Sequence, residues 1–152
     1  MIPSSVANPV NKQCFPNRHV RLSVVTTMYQ SSNFIQEFCR RTIATASSLV
    51  GEDFEIILVN DGSPDSSLQA AINVAETDSR VVVIDLTRNF GHHPAMMAGL
   101  SESRGDLVFL VDIDLEEQPE WLTTFAHRMK QENCDVVFGI QKQLSLATEQ
   151  TP

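Results

Sequence analysis

The sequence is poor in cysteine, in positive charge and in long apolar runs, and each shortage closes off a class of protein. Its three cysteines, Cys14, Cys39 and Cys134, are odd in number and share no C-x-x-C or Cys/His ligand spacing. That excludes a disulfide framework and a zinc site, and fits reduced thiols in a cytoplasmic setting. Lys and Arg total 11 against 19 Asp and Glu, leaving a formal net charge of −8. Nucleic acid and anionic membrane reward clustered basic charge, so no nucleic-acid partner is expected. No stretch approaches the roughly 18 uninterrupted apolar residues of a membrane span. The N-terminus shows no cationic segment leading into an apolar one, so the chain as given reads as soluble. Internal repeats and low-complexity tracts are missing as well.

What remains is the composition of an ordinary globular domain, 42% apolar and 20% charged over 152 residues. A chain of this length buries roughly two-thirds of its unfolded surface in one core. Residues 1–20, with Pro3, Pro9 and Pro16 and no periodicity, read as a flexible leader; residues 21–140 as the domain; residues 141–152 as a polar tail. Within the domain, runs rich in Val and Ile alternate with helical stretches. Five strands are expected, at Leu22–Thr26, Ile56–Asn60, Val81–Leu86, Leu107–Val111 and Val136–Ile140. Their near-continuous apolar character suits strands covered on both faces, as in a parallel sheet.

The intervening segments carry helix ends. Asn33 with Gln36 resembles a capping box; Ile35, Phe38, Thr42, Ile43, Ala46 and Leu49 form one stripe; Gly51 offers a left-handed stop. Ser66 or Ser67 can cap a second helix with Leu68, Ala71, Ile72 and Ala75 on its inner side. Pro94 suits the first turn of a third, with Met96 and Met97 as core filler, and a fourth runs from about Pro119 to Glu132. Strand and helix in alternation predict a doubly wound, three-layer α/β domain with a mostly parallel sheet.

In such a sheet ligands bind beyond the carboxyl ends of the strands, so the residues there are the candidates. Strand one runs into Thr26, Thr27 and Tyr29, strand two into Asn60-Asp61-Gly62-Ser63, strand three into Arg88-Asn89-Phe90-Gly91-His92, and strand four into Asp112-Ile113-Asp114. The D-x-D spacing puts two carboxylates where they can share a hydrated divalent cation and a ribose. Mg²⁺ or Mn²⁺ suits such hard oxygen ligands completed by substrate phosphate. The same acids, with Glu116, Glu117 and Glu120, could instead cap the following helix. Asp61 could accept from a nucleobase N–H or a ribose hydroxyl, or close an Asx-turn, while Asp65 reads as a first-turn helix acid. Arg88 could contact phosphate or make a surface ion pair. His92 and His93 are adjacent and hence a poor metal pair; His92 could hydrogen-bond substrate.

Taken together these segments resemble family 2 glycosyltransferases, especially the polyprenyl-phosphate sugar transferases. The resemblance is collinear through S-V-V-T-T-M-Y (23–29), E-I-I-L-V-N-D-G-S-P-D (55–65), L-T-R-N-F-G-H (86–92), the A-G-L and R-G-D pieces (98–106) and D-I-D-L-E-E-Q-P-E (112–120). It implies a glycosyltransferase A-type, Rossmann-like fold, truncated after about five strands. Tyr29 and Asp61 are then expected near the base and ribose, Asp112 toward the ribose or metal, and Asp114 as metal ligand. The implied reaction is inverting transfer from a UDP- or GDP-type nucleoside diphosphate sugar to a polyprenyl-phosphate acceptor at the membrane surface. An acceptor that is already anionic needs no general base. The first loop departs from the family's usual Pro-x-Tyr-Asn-Glu-Glu, reading Thr27-Met28-Tyr29-Gln30-Ser31-Ser32. The chain is also short for the family, so only the nucleotide-binding half is expected.

Three rivals stand beside this reading. A sugar nucleotidyltransferase expects a glycine-rich phosphate loop after strand one, where V-V-T-T-M-Y has no glycine. A response-regulator receiver needs an acidic pair at the same place. The third is a fragment that binds nucleotide without turnover.

Overall fold

The computed structural model describes residues 19–140; the segments 1–18 and 141–152, with the expected leader and tail and Cys14, lie outside the described residues. Eight elements follow in order: β1 (Leu22–Met28), α1 (Ile35–Val50), β2 (Phe54–Asn60), α2 (Ser67–Thr77), β3 (Val81–Asp85), α3 (His92–Glu102), β4 (Leu107–Leu110) and α4 (Trp121–Glu132). The strands form one sheet in the order β3-β2-β1-β4. All pairs are parallel, with Leu22 of β1 opposite both Phe54 of β2 and Leu107 of β4. The expected three-layer α/β architecture is what the chain forms.

Alternation along the strands divides the core in two. Leu22, Val24 and Met28 of β1, with Ile56 and Leu58 of β2, pack beneath Ile35 and Phe38 of α1, Ala71 of α2 and Leu122 of α4. On the other face Val25, Ile57, Val59 and Ile84 meet Ala95 of α3. Central strands buried on both faces have no polar side to show, which is why β1 and β2 read as nearly continuous apolar runs, with polar residues concentrated toward their ends. Helix α3 approaches closely because Gly99 faces the sheet: a Cβ there would lie 2.5 Å from Val25 Cγ1 and 2.9 Å from Val59 Cγ2.

A polar clasp closes the opposite end of the sheet, where the strands begin. Glu55, 3% exposed, accepts from Ser23 Oγ at 2.7 Å, from the Arg104 backbone N–H at 2.8 Å and from Arg104 Nε at 2.9 Å. Ser23 Oγ in turn accepts the Gly105 N–H at 2.8 Å. The entry to β4 is thereby tied to the starts of β1 and β2, and each buried polar group in the clasp has a partner.

Three expectations are corrected. Val136–Ile140 forms no strand: although apolar, it lies outside the ladder, with Val136, Phe138 and Ile140 exposed. The sheet thus has four strands among the described residues, and β4, exposed at Leu107, Val108 and Leu110, is one of its two edges. The Asn33–Gln36 box does not cap α1. The helix begins at Ile35 with Phe34 in the cap position and no side-chain cap bond, because phenylalanine offers no acceptor; the Phe34 N–H goes to the Ser31 carbonyl at 2.9 Å. Met97 points outward and is exposed, whereas Met96 packs on the α3 side of the sheet. Gly51 does stop α1, but at φ 64° and ψ −128° it is outside the left-handed helical conformation expected of it.

Cys39 lies in the core, where burial, helped by the charge of Asp78, pushes its thiol up to about 12. Because only the thiolate is nucleophilic, iodoacetamide should leave Cys39 unmodified in the native protein and alkylate it after unfolding. Peptide mass mapping reads this directly, and native modification of Cys39 would contradict its burial.

Candidate functional site

The chain leaves β1 toward β2 on one side and returns from α3 into β4 on the other, so the sheet's switch point lies between β1 and β4. Helices pass on opposite faces there and the loops part, which opens a crevice at the carboxyl ends of the strands. Most of the expected residues stand around it. Tyr29, directly after β1, is 47% exposed. Thr27 Oγ1 lies 3.0 Å from His92 Nδ1, and His92 Nε2 lies 3.9 Å from Asp112 Oδ1. The first residue of α3 therefore bridges the ends of β1 and β4 across the crevice. Thr26 stands apart: it is fully buried on the α1 side, and its hydroxyl has no hydrogen-bond partner among the described residues.

Asp61 is nearly buried, and its two oxygens accept the N–H groups of Phe90 at 2.7 Å and Gly91 at 3.0 Å. It forms a brace between the loops after β2 and β3, in place of a local Asx-turn. Gly62 makes this contact sterically feasible, since its φ is 62° and a Cβ would sit 2.4 Å from both Arg88 C and Asn89 N. Arg88 makes no ion pair among the described residues; its guanidinium lies 4.5 Å over the Phe90 ring, an arrangement that leaves its charge on the rim.

After β4 the acidic turn folds on itself. Asp114 Oδ1 accepts the Glu116 N–H at 3.0 Å, Glu117 Oε2 accepts the Asp112 N–H at 3.3 Å, and Leu115 adopts φ 66° between them. Both aspartates stay exposed. No cluster of three or more candidate ligands occurs among the described residues. Two exposed carboxylates on one turn nevertheless fit Mg²⁺ or Mn²⁺, which take one or two carboxylates and complete their shell with water and substrate phosphate.

Reasoning from sequence missed the residues that hold the first two loops together. Asp65 accepts from Ser63 Oγ, from the Ser67 N–H at 3.0 Å and from the Ser32 N–H at 3.3 Å. Partial desolvation opposes its charge, but these hydrogen bonds outweigh it and hold the carboxyl far below the usual carboxylate range. A depressed carboxyl contributes stability that is present above its unfolded pKa and is lost only under strong acid. Asn60 adds a further tie, donating to Asp85 Oδ1 at 2.8 Å between the ends of β2 and β3. The dense run D-G-S-P-D-S-S, rich in short acceptors, was the available signal.

The family model for glycosyl transferase family 2 matches residues 23–149, most of the chain. The chain belongs to that family. A Mycobacterium tuberculosis protein described as a glycosyltransferase is 52% identical to this family 2 chain over 120 residues, covering 79% of the chain and 35% of that protein. The undecaprenyl-phosphate 4-deoxy-4-formamido-L-arabinose transferase of Pseudomonas paraeruginosa is 43% identical over 121 residues, covering 79% and 35%. The family 2 chain thus spans about a third of the length of the curated relatives it matches. Among solved structures, a Pyrobaculum calidifontis mannosyltransferase in complex with GDP-Man and Mn²⁺ superimposes with TM-score 0.64 at 20% identity, covering 75% of this chain and 33% of that one. Staphylococcus aureus TarS gives TM-score 0.62 at 24% identity, covering 75% and 33%. These likenesses establish the glycosyltransferase A-type fold. No helix among the described residues is long and apolar enough to cross a membrane.

Proposed function

We propose that the chain is the donor-binding half of an inverting, metal-dependent glycosyltransferase that uses a nucleoside diphosphate sugar. The observation that carries this is the gathering of Tyr29, Thr27, His92, Asp112 and Asp114 around one switch-point crevice, with Arg88 unpaired by any acid on the same rim. The Tyr29 ring offers a face for the base and Arg88 a planar fork for phosphate, while Asp61, nearly buried with both oxygens held by the Phe90 and Gly91 N–H groups, braces the loops behind them. Asp114, with Asp112, would hold Mg²⁺ or Mn²⁺, which when bound supplies Lewis acidity to the departing diphosphate. In the transfer, an acceptor oxygen forms the new bond at the anomeric carbon from the face opposite the diphosphate. The old C–O bond breaks with its electron pair on the diphosphate, so configuration inverts. The undecaprenyl-phosphate transferases among the relatives favour a polyprenyl phosphate as acceptor for the whole protein, placed at the membrane surface. Its oxygen is already anionic, so no general base is required of this half.

The chain's short span relative to those relatives favours a second reading, that it binds donor nucleotide without turning it over. Thermal unfolding with UDP, GDP, CDP and TDP, each with and without Mn²⁺ or Mg²⁺, tests the site common to both. Ligand at about a hundredfold over Kd stabilises by roughly 2.7 kcal/mol. One nucleotide should stabilise the chain in a metal-dependent way, and Asp114→Ala should erase the metal-dependent part. Equal metal-dependent stabilisation of the variant would overturn the assignment of Asp114.

A further inference from the structure

The loop between β1 and α1 has an unusual backbone economy. The Tyr29 N–H goes to Ser31 Oγ at 3.2 Å, and the same hydroxyl donates to the Tyr29 carbonyl at 3.0 Å. The Gln30 N–H goes to Ser63 Oγ at 2.7 Å, the Ser31 N–H to Ser67 Oγ at 2.8 Å, and the Ser32 N–H to Asp65 Oδ2 at 3.3 Å. Four consecutive backbone donors are therefore satisfied by side-chain oxygens, two of them from the loop after β2 and one from the first residue of α2. Gln30 holds φ 52° in the middle of this run, a conformation that a non-glycine residue keeps only when its surroundings impose it.

Asp65 organises the set. A serine hydroxyl has one proton and two lone pairs. Ser63 gives its proton to Asp65 Oδ1, which leaves a lone pair aimed at the Gln30 N–H; the same Oδ1 takes the Ser67 N–H and seats that residue beneath Ser31. Such chained bonds polarise and strengthen one another. Tyr29, 47% exposed, stands at the head of the loop so held, directly after β1.

We propose that Asp65 is a positioning residue for nucleoside recognition, acting through Ser63 and Ser67 to fix the loop that presents Tyr29. This rests on the donor-nucleotide reading above. Asp65 touches no ligand in this scheme; it sets the place of the ring that does. Asp65→Asn tests it with little change of volume, because either orientation of the amide sets an N–H₂ against a backbone N–H donor. Ser63→Ala is a milder companion that keeps the carboxylate and removes the acceptor of the Gln30 N–H.

Tyr29 is the single tyrosine of the chain, so ¹³C-labelled tyrosine gives ring signals that report on this loop alone. In both variants those signals should shift and broaden in the free protein, while tryptophan fluorescence still shows a cooperative unfolding transition. Affinity for the nucleoside diphosphate that stabilises the parent chain, measured by calorimetry with Mn²⁺, should fall roughly tenfold, a factor worth about 1.4 kcal/mol. Unchanged Tyr29 signals in the folded variants would overturn the clasp. Shifted signals with undiminished affinity would overturn its role in recognition. A parent chain that binds no nucleoside diphosphate would instead sink the functional reading, and with it the recognition role, while the Tyr29 signals of the free variants would still decide the clasp.

Discussion

Gly62→Ala is expected to destabilise the protein by about 4 kcal/mol, the largest effect of any single methyl on the rim. Two costs add. Alanine at φ 62° enters the left-handed region, which costs about 1 kcal/mol or somewhat more. The new Cβ would also lie 2.4 Å from Arg88 C and Asn89 N, which are backbone atoms and cannot rotate aside. Relief requires the loop after β3 to move, and that loop is held to the turn by both oxygens of Asp61. Overpacking of this kind costs about 1–3 kcal/mol or more. Gly51→Ala is the comparison: its φ of 64° with ψ −128° carries a backbone cost of its own of about 1–3 kcal/mol, but its Cβ would meet nothing within 4 Å, so there is no collision. Urea unfolding of the two variants should leave Gly62→Ala the less stable by about 1–2 kcal/mol. Equal losses would mean that the rim loops give way freely, and the rigidity ascribed to the Asp61 brace would be wrong.

That rigidity marks the boundary between what the sequence discloses and what it conceals. Strand positions were legible because burial on both faces leaves the middle of a strand, such as Ile56–Val59, with no polar residue. Val136–Ile140 is also strongly apolar and has no ladder. Composition records a capacity for burial, whereas pairing depends on what lies alongside, which is not local information. The rim residues were legible for a similar reason, since a doubly wound sheet puts every strand end on one edge. Choosing between Thr26 and Thr27 required the alternation to be carried one step further: Leu22, Val24 and Met28 share a face with Thr26 and bury it, while Thr27 turns to His92. In sequence Asp65 reads as a first-turn helix acid and Ser63 as an ordinary turn residue. Their roles come from a loop more than thirty positions earlier in the chain, whose acceptor requirements no local spacing reveals.

The clasp at the far end of the sheet gives the second large effect, and its sign is diagnostic. Arg104→Ala is expected to cost about 3 kcal/mol, because it leaves the Glu55 carboxylate buried without its counter-charge. Half of the arginine side chain is exposed while Glu55 is 3% exposed, so removing the arginine strands the group that water cannot reach. If charge isolation is the cause, adding Glu55→Met should recover much of the loss. The double variant replaces the carboxylate by an apolar chain of similar volume, and Ser23 Oγ still accepts the Gly105 N–H at 2.8 Å. It should sit about 1–2 kcal/mol below the parent protein, above the single variant, since replacing a buried ion pair by apolar groups is far less costly than breaking it. Urea unfolding of the three chains measures the coupling. A double variant less stable than Arg104→Ala would show that Glu55 acts mainly by receiving the Ser23 hydroxyl and the Arg104 N–H, as a neutral acceptor could. In either case nucleotide binding should be unchanged, because Ser23 and Glu55 are the second residues of β1 and β2 and the crevice lies at the opposite ends of those strands.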